Sequence, residues 1–291
     1  MSVGKKEKIN VLSLFDGMSC GQIALNKVGI KYENYFASEI DEPAIKVTQH
    51  NYPKTIQLGD VTKIKAENLP KIDLLIGGSP CQGFSFAGKK LNFEDERSKL
   101  FFEFVRLKNE LNPKYFLLEN VKMKQEWQDV ISEQLGVKPI RINSQLVSAA
   151  KRDRLYWTNI PNITQPNDKE ITFDDINSNS ENWIDVDRIE KIANWKAQQK
   201  PLKNATLIGS RKKLPCLTAR GYNQYHSGMI LITNGERYRY LTNEEAENAH
   251  NIPIGYTSIC NDRERSHMIG NGWTVDVIAH IFSFLKEEGN F

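Results

Sequence analysis

The sequence predicts an α/β fold: a doubly wound, mostly parallel, Rossmann-like sheet with a second, smaller domain. Two observations lead there. Short apolar runs alternate with amphipathic, helix-like stretches as far as about Asn120. After about Pro161 the alternation gives way to polar, Asn-rich and then basic sequence, and one more helix-like stretch closes the chain.

Taken in order, INVLSLF (9–15) reads as a buried strand, GQIALNKVG (21–29) as a helix ended by Gly29, and YFASEI (35–40) as a second strand. Asp41, with Pro43 in the first turn, is placed to cap a helix that runs to about Asn51. DLLIGG (73–78) and YFLLEN (115–120) are strand-like, with the amphipathic SKLFFEFVRLKNEL (98–111) between them, and VDVIAHIFSFL (275–285) is the closing helix. The first unit is expected over 1–160, completed by 264–291 folding back, with the smaller unit over 161–263. No internal repeat is found.

Composition narrows the class. At 291 residues, 40% hydrophobic and 26% charged, the chain can bury a sizeable core. It carries no run of about 18 uncharged apolar residues, and MSVGKKEKIN lacks the apolar block of a secretory signal, so no membrane role and a cytoplasmic location are expected. Cys20, Cys81, Cys216 and Cys260 form no CxxC pair and the five histidines are scattered, which argues against a metal site and against a disulfide framework. A special cysteine here acts as a thiol.

The net charge of +3 hides a segregation. From Gln165 to Glu190 eight acids face Lys169 and Arg188, whereas from Lys191 to Tyr240 ten Lys or Arg face Glu236 alone, with Tyr222, Tyr225, Tyr238 and Tyr240 interleaved. The basic segment reads either as a solvated face or as a surface for a polyanion.

Chemistry gathers where strands are expected to end. FDGMSCG (15–21) has glycines only at 17 and 21 and so is not the dinucleotide fingerprint, but it lets backbone approach a ligand at a helix start. SEID places Glu39 where a carboxylate accepts from ribose hydroxyls, and Asp60 in LGDV suits an adenine amino group; each alone is also compatible with plain turn geometry. Together they imply an adenosine-containing ligand. Pro80-Cys81 follows the third strand-like run and Glu119 ends the next, which puts a thiol and a carboxyl on one rim. Such a pair suits cytosine, where thiolate addition at carbon 6, helped by an acid at ring nitrogen 3, makes carbon 5 nucleophilic.

FDGMSCG, GGSPCQGFS, ENV (119–121), SAAKRDRLYW and IGNGWTVDVI, in this order, resemble the motifs of the DNA cytosine-5 methyltransferases. The resemblance implies a sheet domain of the S-adenosylmethionine-dependent methyltransferase kind with a target-recognition domain, acting on double-stranded DNA. It implies S-adenosylmethionine held by Phe15, Asp16, Gly17, Met18, Ser19, Glu39, Asp60, Val61 and Leu100 and by the returning Asn271, Gly272 and Trp273. Cys81 would be the nucleophile and Glu119 the assisting acid, with Arg152 and Arg154 contacting the extruded cytosine, its phosphate and Glu119. Ala150 stands where many members carry Gln, which is more like the animal de novo branch. The loop from Pro80 to Leu100, with Gly83 and Gly88 as hinges, would close on DNA through Gln82, Ser85 and its lysines. Arg211 would support the recognition region, Lys212 and Lys213 would contact DNA phosphates, and Arg220, Tyr222 and Asn223 would lie in the recognition loop. A monomer with a cognate restriction endonuclease as possible partner is expected.

Three rival activities fit less well. A branch that methylates transfer RNA carries a Cys-Phe-Thr tripeptide, absent here. A decayed, non-catalytic DNA-binding relative should have lost Cys81 or Glu119, and both are present. Exocyclic-amine methyltransferases use an Asp/Asn/Ser-Pro-Pro-aromatic motif, which this chain lacks.

Overall fold

The computed structural model describes residues 8–79, 96–184, 206–219, 221–222 and 230–287. The chain divides into two compact units, one formed by the chain up to Ile142, Asp153–Gln165 and the chain from Val277 on, the other by Asn143–Arg152 and Pro166–Asp276. This division differs from the expected boundaries in giving 143–152 and 264–276 to the second unit and 161–165 to the first. The reason is local: Leu214 exchanges backbone hydrogen bonds with the 149–151 segment, its N–H donating to Ala149 O (2.8 Å) and its carbonyl accepting from Lys151 N–H (2.9 Å).

The first unit is the predicted α/β layer. Strands β1 (Ile9–Leu14), β2 (Tyr32–Ser38), β3 (Ile56–Gln57), β4 (Leu74–Gly78), β5 (Tyr115–Val121), β6 (Ile140–Asn143) and β7 (Asp153–Thr158) form one sheet in the order β3-β2-β1-β4-β5-β7-β6. The pairs from β3 through β5 are parallel, whereas β7 runs antiparallel to β5. Helices α1 (Cys20–Val28), α2 (Glu42–Asn51), α3 (Glu96–Leu111) and α4 (Gln125–Leu135) connect the strands. Leu12, Leu14, Leu75, Phe101, Phe104, Leu118 and Trp157 lie in one buried cluster. Two-sided burial explains why these strands read as continuous apolar runs.

Local chemistry sets the boundaries. Gly29 ends α1 in the left-handed conformation (φ 73°), as its position predicts. Gly77 is tightly packed: a Cβ there would stand 3.1 Å from Leu14 O and from the Phe104 ring, so a side chain would require its neighbours to give by a few tenths of an ångström. Asp41 occupies the cap position of α2 with Pro43 in the first turn, yet its side chain makes no capping bond; the N–H groups of Ile40 and Asp41 donate to Glu39 Oε1 instead (2.7 and 2.9 Å). The closing helix, α7 (Val275–Glu287), follows α5 (Asn243–Ala249) and α6 (Asp262–Asn271). No single helix among the described residues is long and apolar enough to cross a membrane.

The second unit contains a small sheet of β8 (Thr206–Ile208), β9 (Ile230–Thr233) and β10 (Tyr238–Tyr240), with β8 parallel and β10 antiparallel to β9. Its interior holds a buried ion pair. Arg239 and Glu245 have side chains 1% and 0% exposed, and the guanidinium meets both carboxylate oxygens (2.6 and 2.9 Å). Glu245 also accepts from Ser178 N–H (2.9 Å) and from Thr242 N–H (3.0 Å), closing the capping box of α5. Burial works against its charge, but Arg239 and these N–H groups hold its pKa below the ordinary 4.5.

Replacing one partner of this pair strands the other. Arg239→Met is expected to lower the unfolding free energy by about 3–5 kcal/mol, read from the urea transition. Stability drawn from Glu245 is present above its ordinary pKa and is lost as pH falls through the lower folded value. The difference between wild type and Arg239→Met should therefore shrink on acidification below about pH 4.

Candidate active site

The rim of the sheet begins where β1 ends. Phe15, Gly17 and Ser19 all have left-handed backbone (φ 57°, 57° and 65°), so two non-glycine residues accept strain in a five-residue loop. The loop is tied to the end of β2: Asp16 N–H donates to Ser38 O (3.1 Å) and Gly17 N–H to Glu39 Oε2 (2.7 Å). The expected Phe15–Ser19 and Glu39 are thereby brought together. Met18 is buried, and Phe15 and Leu100 pack against the main cluster from its edge.

A polar network stands behind this loop. Tyr35 donates its hydroxyl to Asp16 Oδ1 (2.8 Å), and Gln22 joins Ser19, Thr55 and Tyr32 through hydrogen bonds of 2.8–2.9 Å. Asp16 Oδ2 is buried with no hydrogen-bond partner among the described residues. Burial pushes the Asp16 carboxyl from its ordinary 3.8 up to about 6, against the pull of Ser13, Ser19 and Tyr35, and the nearby Glu39 charge adds to the rise.

The third edge is anchored to the same strand. Ser38 donates to Gly59 O (2.7 Å) and Leu58 N–H to Ala37 O (2.8 Å), which sets Asp60 and the buried Val61 beside β2. Asp60 Oδ1 accepts from Thr62 N–H (3.0 Å) and from its hydroxyl (2.8 Å), and these bonds hold its carboxyl below the usual range. Ile40, beside Glu39, is 75% exposed.

Glu119 lies at the end of β5, in register with Gly78 of β4, three residues before Cys81. Antiparallel β7 puts Arg154 opposite Val121, hence on the same face as Glu119. Arg154 Nε meets Glu119 Oε1 at 2.9 Å, with both side chains largely buried, and Arg154 Nη1 donates to Asp153 O (2.9 Å). Behind them, buried Asn120 donates Nδ2 to Ser79 Oγ (3.1 Å) and Ser79 O (3.3 Å), tying the tip of β5 to the chain that leaves β4. That role for Asn120 was not foreseen. Cys81, Gln82, Ser85, Arg220 and Asn223 lie outside the described residues.

The remaining expected residues belong to the second unit. Asn271 ends α6 and Gly272 and Trp273 follow it. Arg211 and Lys212 are exposed, with Arg211 N–H held by Asp174 Oδ2 (2.9 Å). Three expectations need correction. Lys213 points inward, its ammonium donating to the carbonyls of Gln145 (2.5 Å), Ile171 (2.6 Å) and Ser148 (3.2 Å), which uses its three donors and leaves none for phosphate. Tyr222 is 1% exposed and donates to Asn243 Oδ1 (2.8 Å), so it is interior packing rather than a recognition-loop contact. Arg152 is 5% exposed and binds backbone carbonyls of its own unit. No cluster of three or more potential metal ligands occurs among the described residues.

Comparison with known proteins finds methyltransferases. The family model for C-5 cytosine-specific DNA methylase matches residues 9–130. The orphan methyltransferase M.Rho11sI of Bacillus phage rho11s is 37% identical over 264 residues, covering 86% of this chain and 47% of that protein. The type II methyltransferase M.NgoBV of Neisseria gonorrhoeae is 43% identical over 120 residues, covering 40% of this chain and 28% of that one. The chain thus spans half or less of these curated relatives. Entamoeba histolytica methyltransferase EhMeth has the same fold, with a TM-score of 0.81 at 19% identity over 97% of this chain and 99% of that chain.

The buried Asp16 carboxyl makes a prediction about stability. A carboxyl whose pKa is raised on folding destabilises the fold progressively as pH rises from about 4 to about 6. Asp16→Asn should remove that cost and be more stable than wild type at pH 7 by up to about 3 kcal/mol, with the advantage gone at pH 4. Urea unfolding of both proteins at the two pH values measures it.

Proposed function

The chain belongs to the DNA cytosine-5 methyltransferase family, and from that premise we propose that it methylates carbon 5 of cytosine in double-stranded DNA with S-adenosylmethionine as donor. The observation that carries the reading is the Glu119–Arg154 pair, set on the rim in register with the strand that leads to Cys81. It supplies an acid at fixed orientation beside the chain that bears the thiol.

The residues of the first unit fit the donor. Asp16 Oδ2 is a buried acceptor without a hydrogen-bond partner among the described residues and suits a cationic amino group, and Glu39 offers a carboxylate to ribose hydroxyls. Exposed Ile40 supplies an apolar surface for adenine and Asp60 an acceptor for its amino group. When bound, S-adenosylmethionine supplies an electrophilic methyl group. The Cys81 thiolate adds to carbon 6, while Glu119 gives a proton or strong hydrogen bond to ring nitrogen 3, so electron density collects at carbon 5. Arg154 orients Glu119 through their ion pair. After methylation, transfer of the carbon 5 proton to a solvent base expels the Cys81 thiolate and restores the aromatic ring. Arg211 and Lys212 offer exposed cations to phosphates.

The test uses duplexes containing 5-fluorocytosine, where fluorine at carbon 5 blocks the final elimination. With methyl donor present, wild type should form a covalent adduct and Cys81→Ala none; methylation by Cys81→Ala at the wild-type rate would defeat the mechanism. Glu119→Gln should bind S-adenosylhomocysteine as wild type does while losing at least about a hundredfold in rate. Asp16→Asn should bind S-adenosylhomocysteine at least about tenfold more weakly, as expected of a lost charge-assisted hydrogen bond.

A further inference from the structure

We propose that Arg152 is a positioning residue for the segment that reads DNA and does not itself touch the extruded base. The proposal rests on the methyltransferase reading, in which Arg220 would lie in the loop that recognises the target sequence. Arg152 Nη1 donates to Leu217 O (3.2 Å) and Gly270 O (3.1 Å) and approaches Cys216 Sγ (3.7 Å), and Nη2 donates to Asn271 O (3.3 Å). Gly270 and Asn271 are the last residues of α6, where helix carbonyls have no intrahelical partner. A guanidinium there satisfies them and complements the negative end of the helix dipole.

The same point is a close backbone contact. A Cβ at Gly270 would stand 2.2 Å from Thr218 C, 2.3 Å from Thr218 O and 2.4 Å from Ala219 N, so the helix end lies directly against residues 218–219. Arg152 spans that contact, with one carbonyl from the 217 side and two from the helix. The chain just past position 220 is held as well: Gly221 N–H donates to Thr218 O (3.1 Å), and buried Tyr222 is fixed by Asn243. Both flanks of Arg220 are therefore anchored, the upstream one through Arg152 and Gly270. Base readout depends on side-chain placement to a fraction of an ångström, whereas phosphate attraction does not. Loosening this anchor should alter which sequences are read more than how tightly DNA is held.

Three variants decide the matter, assayed on unmethylated plasmid DNA. Arg152→Lys keeps the charge but cannot reach all three carbonyls, Gly270→Ala disturbs the contact without touching Arg152, and Lys212→Ala serves as the phosphate reference. Bisulfite sequencing at matched total methylation should show Arg152→Lys and Gly270→Ala spreading methylation to non-preferred sites by about tenfold, with Lys212→Ala keeping the wild-type profile. The salt dependence of duplex binding should be unchanged in Arg152→Lys and flatter by about one unit in Lys212→Ala. A merely structural loss would lower yield and melting temperature without moving the sequence profile. The proposal is overturned if Arg152→Lys slows methylation with an unaltered profile, the mark of a base contact at the reacting centre, or flattens the salt slope by about one unit, the mark of a phosphate contact. A change in Gly270→Ala alone would take the role from Arg152. Should wild type leave no 5-methylcytosine in the DNA, the function reading fails by itself, and the salt slopes still decide whether Arg152 meets phosphate.

Discussion

One pairing carries the rim of the sheet: β7 runs antiparallel to β5, whereas the pairs from β3 through β5 are parallel, and by that reversal Arg154 meets Glu119. A carboxylate at the end of a buried strand is costly unless a cation or hydrogen-bond donors meet it. A parallel neighbour would enter β5's register from the other end of the sheet. The reversal brings the start of β7 to the carboxyl end of β5, so a residue in SAAKRDRLYW reaches the one strand end that needs it. Register then fixes the distance, because residues two apart on a strand share a face.

The Phe15–Ser19 side of the rim is governed by burial of a different kind. Phe15 and Ser19 hold left-handed backbone around Gly17, and the loop is kept there by Ser38 and Glu39 on the neighbouring strand. The tight turn delivers the Asp16 carboxyl into the protein, where Tyr35 meets one oxygen and the other has no hydrogen-bond partner among the described residues. Strain and an unsatisfied acid in one loop are features that a fold optimised only for stability would discard.

In the second unit, groups that look suited to DNA are turned to internal tasks. Lys213 gathers three carbonyls, Arg152 binds three more, and Tyr222 fills the interior against Asn243. Irregular segments bury backbone carbonyls that no ladder satisfies, and a nearby cation is an effective donor to them. The basic segment therefore does two things: some of its charge fastens the unit together, and Arg211 and Lys212 face outward.

Much of this was legible in the chain itself. Apolar periodicity determined β1, β2, β4, β5 and the helices between them, since two-sided burial demands continuous hydrophobic runs and helix faces demand a 3.6-residue repeat. Motif order determined the family, and the residues at strand ends determined that Gly17, Glu39 and Glu119 would stand at the rim. What sequence could not determine is where a polar side chain points. Arg152 and Arg154 are two residues apart in one short motif, yet Arg154 pairs with a carboxylate on the sheet and Arg152 caps a helix whose end is more than a hundred residues away in the chain. Asn120 and Ser79, Lys213 and Gln145, and Asp16 and Tyr35 are likewise partners only because the fold brings distant segments together. Hydrogen-bonding capacity is written in the residue type, but the partner that uses it is chosen by tertiary packing, which alone decides which donors are consumed inside and which still face outward.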